Sequence, residues 1–352
     1  SGGAREQRFA VHHPECIDQT RCGQAGLWMI DNGYTFDFIS DRQLAGVKYG
    51  DGRLQTTGST EYRTVVIPAA KTMPVDTLRH VLELAEAGAT ILVWHTLPSD
   101  VPGWMDHTDR QQQLAAALDR LDFDANGVAR VGRGQVVVGD DLAALLEVAA
   151  VARETMVDHG LQFIRRQSRS HTAYFIVNHT AQPIDGWVQL ASPCKSSLLM
   201  DPMTARTGLP PTRTEQGTTE IYLQMEPGAT RIVRAFPDQI PEVPAWPVIE
   251  PHGNPIAVTG PWHVQFVEGG PSLPPEFTSS DLGCWTQRAP GQAESFAGAA
   301  RYTTDVQVPD PGTDCWYLDL GDVRESARVW INGRPAGAVV AHPFRVDVTD
   351  LL

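Results

Sequence analysis

The chain has few cysteines, too little positive charge for a polyanion and no long apolar run. Its five cysteines, Cys16, Cys22, Cys194, Cys284 and Cys315, are scattered along 352 residues. An odd, dispersed set carries no disulfide framework, and at least one thiol stays free or pairs elsewhere. Cys16 and Cys22 lie near His12 and His13. These are donors of the kind zinc takes, but the spacing matches no strong zinc signature, and small buried hydrophobes with surface histidines are the plainer reading. With 28 Lys and Arg against 42 Asp and Glu, the formal net charge is -14, which argues against nucleic acid or anionic membrane partners and suits a protein that handles neutral ligands. No apolar stretch of about 18 residues is present, so no helix is expected to cross a membrane. No signal peptide is visible at the start of the chain. Neither G-x-G-x-x-G nor G-x-x-x-x-G-K-[ST] occurs, and the turn Pro68-Ala-Ala-Lys-Thr-Met-Pro74 has no Ser or Cys to form a nucleophile elbow.

What is present reads as multidomain α/β plus all-β, with length and apolar content for two or three cores. Over residues 1–155, short apolar strands alternate with helical patterns, as in a parallel sheet covered by helices. Four strands are expected: Tyr34-Thr-Phe-Asp-Phe-Ile39, Thr64-Val-Val-Ile-Pro68, Thr90-Ile-Leu-Val-Trp94 and Gln135-Val-Val-Val138. A helix is predicted over Val75–Ala87, where Leu78, Val81, Leu82 and Ala85 keep helical spacing and Gly88 follows. Two more are predicted, from Thr108 to Leu121 and from Asp140 to about Arg153. This domain reads as a flavodoxin-like scaffold. Lys71 is the ionisable group in its first strand-to-helix turn: an anion contact in a functional reading, a solvated loop lysine in the plainer one.

Residues 156–237 change to short β runs, among them Thr172–Val177, Gly186–Leu190, Thr219–Leu223 and Thr230–Arg234, and predict a small β-sandwich. Residues 238–253 are proline-spaced and read as a stiff linker. From 254 to 352, three pieces follow in order: Phe296–Tyr302, Trp316–Gly321 and Ala327-Arg-Val-Trp-Ile-Asn-Gly333. Val329 and Ile331 share a face, and Asn332-Gly333 supplies the positive φ angles of a tight hairpin. The chain starts without Met and stops at Leu352, where a sandwich needs further strands. It therefore reads as a fragment lacking both ends, with a truncated last domain.

The closing block resembles the galactose-binding-like jelly roll, the sugar-binding domain attached to family 2 glycoside hydrolases. Adding Tyr34–Ser40, the Pro68–Pro74 turn, Ile164-Arg-Arg166, Leu199-Met-Asp-Pro202, Gly260-Pro-Trp262 and Phe266-Val-Glu-Gly-Gly-Pro271, the chain as a whole resembles the C-terminal part of family 106 glycoside hydrolases, the α-L-rhamnosidase-like enzymes. That resemblance implies a catalytic (β/α)8 barrel upstream, a pair of acidic residues there and accessory domains here. It also implies a rhamnose-containing glycan as partner, the chain's own upstream catalytic domain as another, and a secreted or periplasmic location. No cofactor is implied within this chain; calcium is left open for the full-length enzyme.

Glycoside hydrolysis needs one acid to protonate the leaving oxygen and a second carboxylate to activate water or attack the anomeric carbon. Glu268, with Glu276 or Asp281 as partner, is the nearest local candidate, against the ordinary reading of surface carboxylates. No catalytic residue is assigned to this chain. For sugar contact, a pyranose offers C–H faces to aromatic rings and hydroxyls to carboxylates. Trp285, after the loop Pro271–Pro275, is the expected platform, with Glu268 beside it as a substrate-binding candidate. Trp262, in phase with Val264 and Phe266, is expected in a core, and Trp330 against solvent or a neighbouring domain. Three functions remain at this point: an accessory region of a rhamnosidase-like hydrolase, a free-standing carbohydrate-binding module, and a structural spacer.

Overall fold

The computed structural model describes residues 20–352 except 216, 239–240, 251–253, 289–290, 292 and 309–314. The chain forms two compact units, Ser1–Pro247 and Val248–Leu352.

The first unit opens with helix α1 (Arg21–Asp31), a short helix α2 (Asp41–Leu44) and a meander of β1 (Lys48–Gly50), β2 (Arg53–Gln55) and β3 (Glu61–Tyr62). Then come β4 (Thr64–Pro68), α3 (Val75–Ala87), β5 (Thr90–Trp94), α4 (His107–Leu118), β6 (Val128–Val131), β7 (Gly134–Gly139) and α5 (Leu142–Val148). Strands β4, β5 and β7 are parallel neighbours and β6 is an antiparallel edge. Because β5 is central, its residues are buried on both faces. Ile91 and Val93 meet Leu78, Val81 and Leu82 of α3 and Leu114 of α4. Leu92 faces the other way, onto Met29 of α1 and Leu142, Leu145 and Leu146 of α5. Helix α3 ends where expected: Gly88 takes φ 125°, and its amide donates to the last turn.

One expected strand is absent. Residues 34–40 pair with no strand, and the fourth member of the sheet is β6. The aromatic alternation of this segment serves a helix instead. Tyr34 stacks on Trp28 with ring centroids 5.9 Å apart, while the Phe36 and Phe38 ring ends lie where a side chain at Gly26 of α1 would stand. Helices α4 and α5 also stop short of the predicted Leu121 and Arg153; α5 is broken by Ala150 at φ 51°.

The β half holds β8 (Leu161–Gln167), β9 (Thr172–Asn178), β10 (Ile184–Leu190), β11 (Ser196–Met200), β12 (Thr207–Gly208), β13 (Thr212–Glu215), β14 (Thr218–Met225) and β15 (Thr230–Phe236). They form antiparallel sheets of order β12-β11-β15-β9-β8 and β10-β14-β13. Every second residue of β14 is buried, the period-two signature of a strand with one face in a core. Here Thr219, Ile221, Leu223 and Met225 point inward, the last three meeting Tyr174, Ile176 and Val233.

Between the halves lies a buried charge. Glu154 is fully buried. Its Oε1 accepts from Arg165 Nη1 at 2.6 Å and Tyr174 Oη at 3.0 Å, and its Oε2 accepts from the Ala191 amide at 2.8 Å. Arg165 also donates to Thr35 Oγ1 at 2.9 Å, and the Glu154 amide donates to the Gly33 carbonyl at 2.8 Å. Burial first, and then the Glu154 charge, push the Tyr174 hydroxyl well above its ordinary range. Gly33 has φ 81°, and a Cβ there would sit 2.2 Å from the Glu154 carbonyl oxygen, so only glycine closes this seam.

The second unit is a set of small antiparallel sheets. β16 (Trp262–Gly270) lies between β17 (Phe277–Ser279) and β18 (Ala297–Thr303), with the short helix α6 (Trp285–Arg288) in the connection. β19 (Tyr317–Asp319) pairs with β22 (Arg345–Asp347), and β20 (Ala327–Ile331) with β21 (Arg334–Val339). The β20–β21 turn is Asn332-Gly333 at φ 51° and 78°, the two left-handed residues of a tight hairpin. Among the described residues, no helix is long and apolar enough to cross a membrane.

Removing one partner of a buried ion pair strands the other charge, at a cost of about 3–5 kcal/mol. Glu154→Ala is expected to lower the unfolding free energy of the first unit by about that amount in urea titrations followed by far-UV circular dichroism. An unchanged midpoint would remove Glu154 from its structural role.

Candidate functional site at the carboxyl edge of the parallel sheet

Since β4, β5 and β7 run parallel, the connections leaving them gather at one edge of the sheet, the edge where open α/β sheets place ligand-contacting loops. The β4–α3 turn (69–74) and the β5–α4 loop (95–106) are joined by backbone bonds. The Lys71 carbonyl accepts from the Ser99 and Asp100 amides at 3.0 and 3.1 Å, and the Met73 amide donates to the Asp100 carbonyl at 3.0 Å.

Asp100 then ties the loop to α4. Its Oδ1 accepts the Val101 amide at 2.8 Å and lies 2.9 Å from His107 Nε2. The Val101 hydrogen bond holds this carboxyl below its ordinary value against the opposing desolvation, and the His107 and Lys71 charges add smaller pulls in the same downward direction. Farther out, Arg110 fills the loop from inside. Its Nη1 donates to the Pro102 carbonyl at 2.7 Å, Nη2 to Gly103 at 2.9 Å and Met105 at 2.6 Å, and Nε to Met105 at 2.9 Å. The tip carries Trp104, 92% exposed, and Met105, 82% exposed.

A second histidine–carboxylate pair lies on the same edge. His95 has φ 78°, a backbone conformation unusual for a side-chain-bearing residue. Its ring stacks on Trp94 at 4.5 Å between centroids, and its Nδ1 is 3.0 Å from Asp140 Oδ1. The Trp94 indole donates to the Asp140 carbonyl at 3.0 Å, and the next residue, Asp141, caps α5 through the amides of Ala143 and Ala144. The edge therefore offers imidazole, carboxylate, ammonium and indole groups on neighbouring segments, two of which are joined by backbone hydrogen bonds.

The residues singled out from the sequence are dispersed. Lys71 is exposed on this edge. Trp285 does not stand free in its loop but is half-buried, edge-on to Phe266 at 5.8 Å and Phe296 at 5.9 Å. Glu268 is exposed, opposite Ala299, where the β16–β18 register shifts. Glu276 pairs with His263 at 3.5 Å and, beside the Val264–Phe277 pair, falls roughly 10 Å along the strand from Glu268. Asp281 lies beyond the Trp262–Ser279 pair at the other end of β16. These three acids do not converge. Trp262 is half-buried in phase with buried Val264 and Phe266, and Trp330 is 56% exposed. His12, His13 and Cys16 lie outside the described residues, Cys22 is exposed, and no group of three or more metal-binding side chains occurs among the described residues.

His95, Asp140, Asp100, His107 and Trp104 were not marked from sequence. The available signal was their position: each follows the end of a strand that feeds a helix.

The family model for glycoside hydrolase family 106, alpha-L-rhamnosidase, matches residues 18–208, more than half of the 352 residues. The chain belongs to this family. The matched span of the family 106 chain includes the whole parallel sheet, its carboxyl edge and the Glu154 seam. In fold, the chain is similar to a rhamnosidase from Novosphingobium sp. PP1Y, with a TM-score of 0.73 and 22% identity, over 91% of this chain and 31% of that one. It also shares 31% identity over 100 residues with a protein of Formosa agariphila named "Putative beta-glucuronidase", a stretch equal to 28% of this chain and 8% of that protein. The family 106 chain thus spans under a third of the length of the rhamnosidase structure it matches.

A carboxyl whose folded pKa is depressed adds stability above its unfolded pKa and loses it as pH falls through the folded value. The Asp100 carboxyl is expected to titrate below about 3.9 in carbon-13 NMR, and to move toward that value in His107→Gln. An ordinary midpoint in the unmodified protein would contradict the Asp100 geometry.

Proposed function

We propose that this chain is the accessory, non-catalytic region of an α-L-rhamnosidase-type glycoside hydrolase, with its catalytic barrel encoded upstream of Ser1. The observation that carries the reading is the family match over residues 18–208. It is supported by the share of the rhamnosidase structure that this fold covers and by the separation of Glu268, Glu276 and Asp281 along β16 and its neighbour, since hydrolysis needs two carboxylates facing one glycosidic bond. On this reading residues 1–155 are a flavodoxin-like domain, 156–237 a β-sandwich and 254–352 a galactose-binding-like jelly roll. The glycan partner contains rhamnose, and the enzyme works outside the cytoplasm. In the last domain, Glu268 and Trp285 are the proposed sugar contacts.

The test is hydrolysis of an aryl α-L-rhamnoside by this chain, beside a polypeptide extended upstream of Ser1 along its gene. Turnover by the extended protein alone is the expected result. Turnover by the short chain, abolished in Glu268→Gln, would move catalysis into this region. Silence in both would favour a binding or structural protein.

A further inference from the structure

The loop of residues 101–106 at the carboxyl edge is over-built for a connection. Its base is closed by Asp100 and His107, and its interior is filled by the Arg110 guanidinium, with four hydrogen bonds to three carbonyls. Gly103 at φ 80° and Asp106 at φ 49° bend the backbone around that guanidinium. Val101, 3% exposed, anchors the loop in the core beneath. All this order ends in an indole left 92% exposed. Trp has only two side-chain torsions, so a Trp on a fixed loop presents a large contact face with little left to order on binding.

We propose that Trp104 is a stacking platform for one ring of a neutral pyranoside, with the Asp100–His107 pair, whose imidazole lies 5.8 Å from the indole centroid, as the polar neighbour that meets its hydroxyls. This rests on the glycan-handling reading above. Size selects the occupant. The apolar tip is Trp104 and Met105, flanked by Asp106, Asp100, His107 and Lys71. An aromatic side chain contributes about 150–250 Å² in all, far below the roughly 800 Å² per partner of a stable protein interface, so the tip suits a small ligand. Charge agrees: the chain carries -14, and the carboxylates at the tip disfavour an anionic ligand. Arg110 is the positioning residue, because its guanidinium donates to the loop's own carbonyls.

The experiment follows the Trp104 indole N–H resonance, assigned by its loss in Trp104→Ala, while the 352-residue chain is titrated with methyl α-L-rhamnopyranoside and with a rhamnose-containing oligosaccharide. Saturable shifts are expected in the unmodified chain. Overall affinity, read by titration calorimetry, should fall about tenfold or more in Trp104→Ala, stay within about threefold in Trp104→Tyr, and weaken in Arg110→Ala with the fold retained by circular dichroism. A chain that binds neither sugar, or binds them equally well as Trp104→Ala, overturns the proposal. A self-association lost in Trp104→Ala without sugar shifts also overturns it, and assigns the tip to a protein contact. Failure of the wider reading shows separately, as absence of rhamnoside cleavage by the upstream-extended polypeptide.

Discussion

The first unit depends on one carboxylate that water never reaches. Glu154 lies where the helix-covered sheet gives way to the antiparallel β half, and its oxygens hold Arg165, Tyr174 and the Ala191 amide from the β side. Arg165 and the Glu154 backbone reach back to Thr35 and Gly33 on the other side. Arg153 adds a parallel stitch, donating to the Asn32 carbonyl at 2.9 Å and to Asp158 at 2.6 Å. Hydrophobic burial alone would give each half a core without fixing one against the other. A buried charge with several partners of fixed direction does fix it, because any other arrangement leaves charges unpaired in a low-dielectric interior.

The candidate edge is built on the parallel sheet of the same unit. The β5 strand runs through the core with Ile91, Leu92 and Val93 each 1% exposed or less, and it carries His95 and the loop to Trp104 directly on its carboxyl end. Two kinds of polar device meet there. Backbone bonds join the Lys71 turn to the Asp100 segment, and side chains then lock the loop from within. The apolar interior sets where the edge lies; the polar groups decide what it displays.

How much of this was legible follows the type of signal. Helix Val75–Ala87 and strand Thr90–Trp94 were readable to the residue, because apolar period, a proline before and a glycine after all agree. The hairpin at Asn332-Gly333 was readable for the same reason, and Asp51-Gly52, at φ 51° and 74°, carried an equivalent turn signal for the unanticipated β1–β2 hairpin. The segment Tyr34–Ile39 misled because alternation specifies two faces, not a neighbouring strand, and α1 took the aromatic face. Trp285 sits deeper than its place after a proline-rich loop suggests, because Phe266 and Phe296 offer it ring contacts in the core.

The Glu154 seam left a faint trace in β8, where Ile164 is 64% exposed while Arg165 turns inward. An arginine in the buried phase requires a partner, but sequence separation hides which carboxylate supplies it. The carboxyl-edge pairs are hidden for a related reason: His95 and Asp140 are 45 residues apart and become neighbours only once β5 and β7 are paired.

The most direct test of this account is native-state hydrogen exchange across the first unit under increasing urea. If the Glu154 network joins the halves, the slow amides of β5 and β9 should merge into one unfolding isotherm with a single free energy and a single slope. Two separate isotherms, one for the parallel sheet and one for the antiparallel β half, would contradict it.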